Sequence, residues 1–439
     1  MKKLFLSLLL LCSGMNIQAA LQIEITEGVE SAEPIAIVPF GWKGQGPRPP
    51  QDIAQIVNNN LRMSGHFSPL PVKDMLARPT ELSQVKYKNW RILEQPYLVI
   101  GQVTELPGNK YNVEFRLLDV YKGAEIAGET YKVPRSLLRS RAHQISDIIF
   151  KELTGIRGAF DTKLAFVKKM PKSTNPKFRY WLFMSDSDTE NEEAILRSRK
   201  AIISPTWSRD ANKLAFAVIR KNGQSIYYYD RRTRKKGRLT LSNEKFSAPA
   251  WSPDGSKLAM VKLHNGSSDV YIMDLKSRKK KRITKHWAID TEPTWSIDGK
   301  SLVFTSDRGG RPQLYEYNLA SKRVQRLTFE GKENLRASFS PDGSMITFVH
   351  LSRDGQYHVG LLDMQTRQMS LLTKATYEES EHESPSFAPN GGMVIYAANY
   401  QNKRGVLATV SVDGRVHKRF MNKQEAGEVR EPAWSPFLN

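Results

Sequence analysis

From about residue 200 onward, apolar and polar positions alternate in short runs that restart at regular intervals. One unit shows the pattern. Lys257-Leu258-Ala259-Met260-Val261 is followed by a polar loop at Asn265-Gly266, then by Asp269-Val270-Tyr271-Ile272-Met273-Asp274-Leu275, and after a basic turn by Lys281-Arg282-Ile283-Thr284. Period-two alternation bounded by Gly, Asn and Pro predicts antiparallel strands joined by hairpins. Each unit is headed by one phrase, as in Pro205-Thr206-Trp207-Ser208-Arg209-Asp210, Pro249-Ala250-Trp251-Ser252-Pro253-Asp254-Gly255 and Pro293-Thr294-Trp295-Ser296-Ile297-Asp298-Gly299. It recurs as Ala337-Ser338-Phe339-Ser340-Pro341-Asp342-Gly343, Pro385-Ser386-Phe387-Ala388-Pro389-Asn390-Gly391 and Pro432-Ala433-Trp434-Ser435-Pro436. The phrase supplies an inner strand and a tight turn, in which Pro pre-sets φ and Gly accepts φ > 0.

The heading aromatic recurs at spacings of 44, 44, 44, 48 and 47. A period in the forties made only of strands predicts four-stranded propeller blades, with the aromatics filling the wedge between neighbouring sheets. The last copy has no strands after it, and three orphan strands near 163–167, 179–184 and 193–196 precede the first copy. Joining them gives six closed blades and removes the exposed sheet edges of an open array. One turn departs from the phrase, with Ala211 where Gly is expected.

The front of the chain reads differently. Leu21, Ile23 and Ile25 alternate as in a half-buried strand, and Ile35-Ala36-Ile37-Val38 is a more apolar one. Helices are predicted at 52–63 and 140–153, and strands at 97–101, 111–117 and 125–133. The fold class is therefore a two-domain chain, an N-terminal α/β domain followed by a six-bladed β-propeller, mainly β overall. The expected limits are 21–158 and 159–439.

Lys2 and Lys3, the apolar run Leu4 to Leu11 and the small residues ending Gln18-Ala19-Ala20 read as a cleaved signal peptide over 1–20, with the cut after Ala19 or Ala20. The lone Cys12 lies within it, so the mature chain offers neither a disulfide nor a thiol catalyst. A net charge of +21 fits an anionic envelope surface, acidic partners or plain solubility. No zinc-finger or RNA-binding signature supports nucleic acid.

The chemistry is sparse. No Gly-x-Ser-x-Gly elbow and no His-Glu-x-x-His occurs; His350 and His358 are eight apart, and His264 and His286 read as surface residues. Asp186-Ser187-Asp188-Thr189-Glu190-Asn191 imitates a calcium loop but lacks the glycine at its sixth position, and reads as a solvated acidic turn. The basic turns Arg231 to Arg238 and Arg278 to Arg282 read as solvated hairpin ends, or as attractors for lipopolysaccharide or peptidoglycan. The expectation is a binding scaffold, not an enzyme, with no cofactor, metal or small-molecule substrate; the alternative is an exported propeller that captures a small ligand or glycan.

The strand Pro34-Ile35-Ala36-Ile37-Val38-Pro39-Phe40, the repeated Trp-Ser-Pro-Asp-Gly phrase and the terminal Glu431-Pro432-Ala433-Trp434-Ser435-Pro436-Phe437 together resemble the TolB family, the periplasmic component of the Tol–Pal envelope system, over the whole chain. The resemblance implies a periplasmic bridge that supports outer-membrane integrity and constriction at division. It implies binding of the Pal lipoprotein through the propeller and of TolA through the N-terminus, with other Tol–Pal or outer-membrane proteins as further partners. Family positions tied to Pal binding fall on Lys245, Ser247, Ala248, Thr291 and Glu292. The four-strand path gathers Arg336, Ser384 and Glu431 at the same mouth of the channel. The candidate TolA-binding arm spans 21–31, with Leu21, Ile23, Glu24, Ile25, Glu27 and Val29. Its alternation lets it pair with a sheet edge, in the chain itself or in a partner.

Overall fold

A computed structural model describes residues 22–27, 32–171, 177–220, 223–241, 244–264, 266–374, 379–400, 405–421 and 427–438. The signal segment, Leu21 and Val29 lie outside the described residues.

The front domain is one sheet with both faces covered. Its strand order is Phe67–Pro69, Glu33–Ile37, Tyr97–Leu106, Lys110–Asp119 and Ala124–Pro134, and Gly41–Lys43 adds to Tyr97–Leu106. Glu33–Ile37 runs parallel to both of its neighbours. Because alternate residues face opposite ways, Val99 joins the core beneath helices α1 (Ile53–Ser64) and α3 (Leu138–Thr154), while Leu98 and Ile100 join Trp90 of helix α2 (Tyr87–Ile92) on the other face. A strand buried on both faces reads as a continuous apolar run. Asp52 caps α1 by accepting from Gln55 N at 3.0 Å.

Six four-stranded sheets follow. Blade 1 consists of the strands in 163–198 plus the last strand Glu428–Trp434, which pairs with Lys163–Lys169 and closes the ring. Blades 2 to 6 occupy 202–238, 246–282, 290–326, 333–371 and 379–421. The turn after each inner strand is built by its own side chains. In blade 3, Ser252 Oγ accepts from Lys257 N at 2.9 Å and donates to Asp254 Oδ1 at 2.5 Å, while Gly255 takes φ 68°. In blade 2 the buried Ala211 takes φ 54° in place of glycine, so the turn survives at some cost in strain.

One element leaves the front domain. Gln22–Glu27 forms a strand as its alternation predicts, yet it pairs antiparallel with His417–Met421 of blade 6 and becomes that sheet's fifth strand.

Candidate functional site

Every inner strand breaks register at the same place. The breaks lie at 203/206, 247/250, 291/294, 335/338, 383/386 and 430/433. Each contains one residue in the left-handed region: Ser204, Ala248, Glu292, Arg336, Ser384 and Glu431, with φ between 44° and 56°. Such bulges re-aim a side chain, and left-handed backbone at a residue with a Cβ costs about 1 kcal/mol or more. In five of the six a proline follows, which has no N–H to give to the ladder. The six residues line the central channel.

Arg336 bridges this ring. Its guanidinium pairs with Glu292 at 2.9 Å and with Glu431 at 2.7 Å, and donates to Ser384 Oγ at 2.5 Å. Burial works against its charge, but Glu431 and Glu292 outweigh that and hold the proton more firmly than usual. Thr305 Oγ1 donates to Glu292, and Ser204 N to Glu431. Five of the residues singled out from sequence therefore meet around the channel: Ala248, Glu292, Arg336, Ser384 and Glu431. Ser247 and Thr291 stand one position earlier, and Lys245 is exposed in the loop before them.

On the side of the phrase turns the channel widens into a funnel of about 970 Å³. Its aromatics are wedges: the indole N–H of Trp207 donates to Ala433 O, that of Trp251 to Thr206 O and that of Trp295 to Ala250 O, each on the preceding blade.

The loops at the other end carry residues that the sequence reading passed over. Trp287 is 74% exposed and Phe329 72%, with Leu241, Leu263 and Ile289 also exposed. All five belong to blade 3 or to the loops between blades 2 and 5, on the end where the inner strands begin. A signal existed, since Trp287 is a tryptophan outside the repeated phrase, in a loop where nothing requires a large ring.

The acidic turn is not solvated. Asp186 and Asp188 are buried at the junction of the two domains. Arg139 of α3 pairs with Asp186 at 2.8 Å and also with Asp188, and Lys163 pairs with Asp186. Burial alone would push the Asp186 carboxyl up; His143 and Lys163 reverse this and hold it low. The turn escaped the sequence reading because its cations lie 47 and 23 residues away. His143 with the two aspartates has the outline of a metal site. The donor set does not fit one. Ser146 Oγ gives its proton to Ala142 O, so Asn60 must turn its NH₂ toward Ser146 Oγ and, at 2.9 Å, toward His143 Nδ1. Nδ1 then accepts and Nε2 carries the proton, while two cations already occupy the carboxylates. The cluster is an ion-paired latch between domains. A second latch lies at blade 6, where the buried Lys418 donates from Nζ to Arg62 O at the end of α1, at 2.5 Å.

His350 and His358 are buried cross-strand partners, and burial followed by a neighbouring histidine lowers the pKa of each.

Comparison with known proteins is consistent over both domains. Residues 21–126 match the TolB amino-terminal domain and residues 150–438 the TolB beta propeller domain. The chain is 53% identical to the Tol-Pal system protein TolB of Thioalkalivibrio sulfidiphilus, covering 100% of this chain and 99% of that one. It is 51% identical to the protein of the same name from Nitrosococcus oceani, covering 97% and 96%. Among solved structures, TolB from Acinetobacter baumannii superposes with a TM-score of 0.83 at 37% identity, over 95% of this chain and 100% of that one.

Proposed function

The chain belongs to the TolB family of Tol-Pal system proteins, and from that premise we propose that it is a non-enzymatic periplasmic bridge, exported by cleavage of residues 1–20, which binds Pal at one mouth of the propeller and TolA through its N-terminal arm. In this reading it supports outer-membrane integrity and constriction at division, with 21–158 and 159–439 as its two working domains.

The observation that carries the Pal half is the mouth where the inner strands begin. Exposed apolar side chains there flank one side of a channel crossed by Glu292, Arg336 and Glu431. A hydrophobic patch with a polar centre is what a protein partner needs, because large rings supply most of the buried area and charge supplies orientation. Lys245, Ser247 and Thr291 lie between the two. The TolA half is supported by the arm, a strand with a single neighbour at the outer edge of blade 6. An edge strand near a terminus is the least costly element to detach, and its freed backbone can add to a sheet in a partner.

Replacing Trp287 and Phe329 together with Ala is expected to weaken Pal binding by about tenfold or more without lowering the melting temperature. Unchanged affinity by calorimetry would move the Pal site elsewhere.

A further inference from the structure

We propose that the outer edge of blades 2 and 3 is a docking surface for a bilayer rich in phosphate headgroups. Residues 230–238 and 274–282 each carry six cations and one carboxylate. The carboxylates are already used, since Asp230 accepts from Thr233 N at 2.8 Å and Asp274 from Ser277 N at 2.7 Å. Some cations are also used within the fold. Lys280 pairs with Glu244 at 2.8 Å and Arg282 with Asp269 at 2.6 Å. Arg278 of blade 3 donates to Leu239 O of blade 2 at 3.3 Å, which ties the two hairpins side by side. Arg232, Lys235, Lys236, Lys276, Lys279 and Lys281 remain exposed, and none has a carboxylate partner among the described residues.

Edge protection does not require so many. Charged residues on an outer strand do prevent sheet-to-sheet pairing. Yet the matching nine-residue segments of blades 4 and 5, 318–326 and 363–371, end in equally short outer strands and hold only three cations and one. The surplus belongs to blades 2 and 3.

The chemistry favours lipid phosphate over an acidic protein. A protein interface is built around buried aromatic or aliphatic anchors. Neither hairpin has a large exposed apolar residue. The six free cations line neither the funnel nor the cavity between the domains. Lysine is a compact point charge that suits a plane of phosphates, and several together bind it additively. In a ring of six, blade 6 stands opposite blade 3. A bilayer held at blades 2 and 3 therefore leaves the arm on the far side of the molecule. The inference rests on export to the envelope, but not on the Pal or TolA contacts.

The test is flotation of the mature protein with vesicles of phosphatidylcholine alone or mixed with phosphatidylglycerol. Binding is expected only to the anionic vesicles, with release at high salt. Changing Lys235, Lys236, Lys279 and Lys281 to Glu should reduce it by about a hundredfold or more, and the milder change of the same four to Gln by a smaller factor. A control with the same net charge, in which the exposed Lys73, Lys86, Lys88 and Lys110 are changed to Glu, should bind as the native protein does. Equal loss in the control would reduce the effect to net charge and overturn the proposal. So would failure of the native protein to bind anionic vesicles, including the case in which it captures an acidic protein instead. Because the readout involves neither Pal nor TolA, its failure leaves the bridging reading untouched.

Discussion

Lys418 shows what a single residue can hide. It lies in a strand that reads as ordinary polar alternation, and its side chain is 1% exposed. Burial, and then the charge of Arg62, lower its pKa to about 7. Below pH 7 it is charged in both the folded and unfolded states, so its burial penalty stands in full. Between about 7 and the ordinary lysine value near 10.4, the unfolded chain holds a proton that the folded one has lost, so stability rises with pH. The rise is at most roughly 5 kcal/mol. Lys418→Met removes it, and melting curves from pH 6.5 to 9.5 should show a shallower slope for the variant; parallel slopes would mean that the ammonium is not buried. No sequence rule marks this lysine, because its partner is a carbonyl 356 residues away. The left-handed positions are similar. Their place before the repeated proline was visible, but that Glu292, Arg336 and Glu431 meet across the channel depends on ring closure.

At the scale of elements, the strands were legible because two-residue alternation and turn chemistry agree in every blade, and the period of the aromatics counts the blades. The same grammar located α1 and α3. It missed α2 and the short strands Gly41–Lys43 and Phe67–Pro69, which are too brief for a periodic signal. It recognised the strand of the arm but not its host, since edge pairing is set by which edge is near. Closure carries a prediction. Removing residues 430–439 takes most of the inner strand from blade 1, together with Trp434, whose indole donates to Thr162 Oγ1 at 2.9 Å. Trp434 is partly buried, so its loss adds somewhat less than the roughly 3–5 kcal/mol of a fully buried tryptophan to the cost of the missing strand. The truncated protein should melt well below the full chain, and an equal melting temperature would mean that the ring does not need its last strand.

For the whole molecule, the arm and the propeller mouth are distinct surfaces. The arm is paired at the rim of blade 6, whereas the exposed rings sit at the mouth, in the loops between blades 3 and 5. The domains are held by the Arg139–Asp186 pair and by Lys418 on α1. A partner that changes how blade 6 sits against α1 can therefore change how firmly the arm is docked. Coupling of this kind is reciprocal and typically about 1–3 kcal/mol. The most direct measurement is calorimetric titration of TolA and of Pal into the mature protein lacking residues 21–31. The account predicts that TolA binding is lost while Pal binding is unchanged or tighter; TolA binding at native affinity would contradict it.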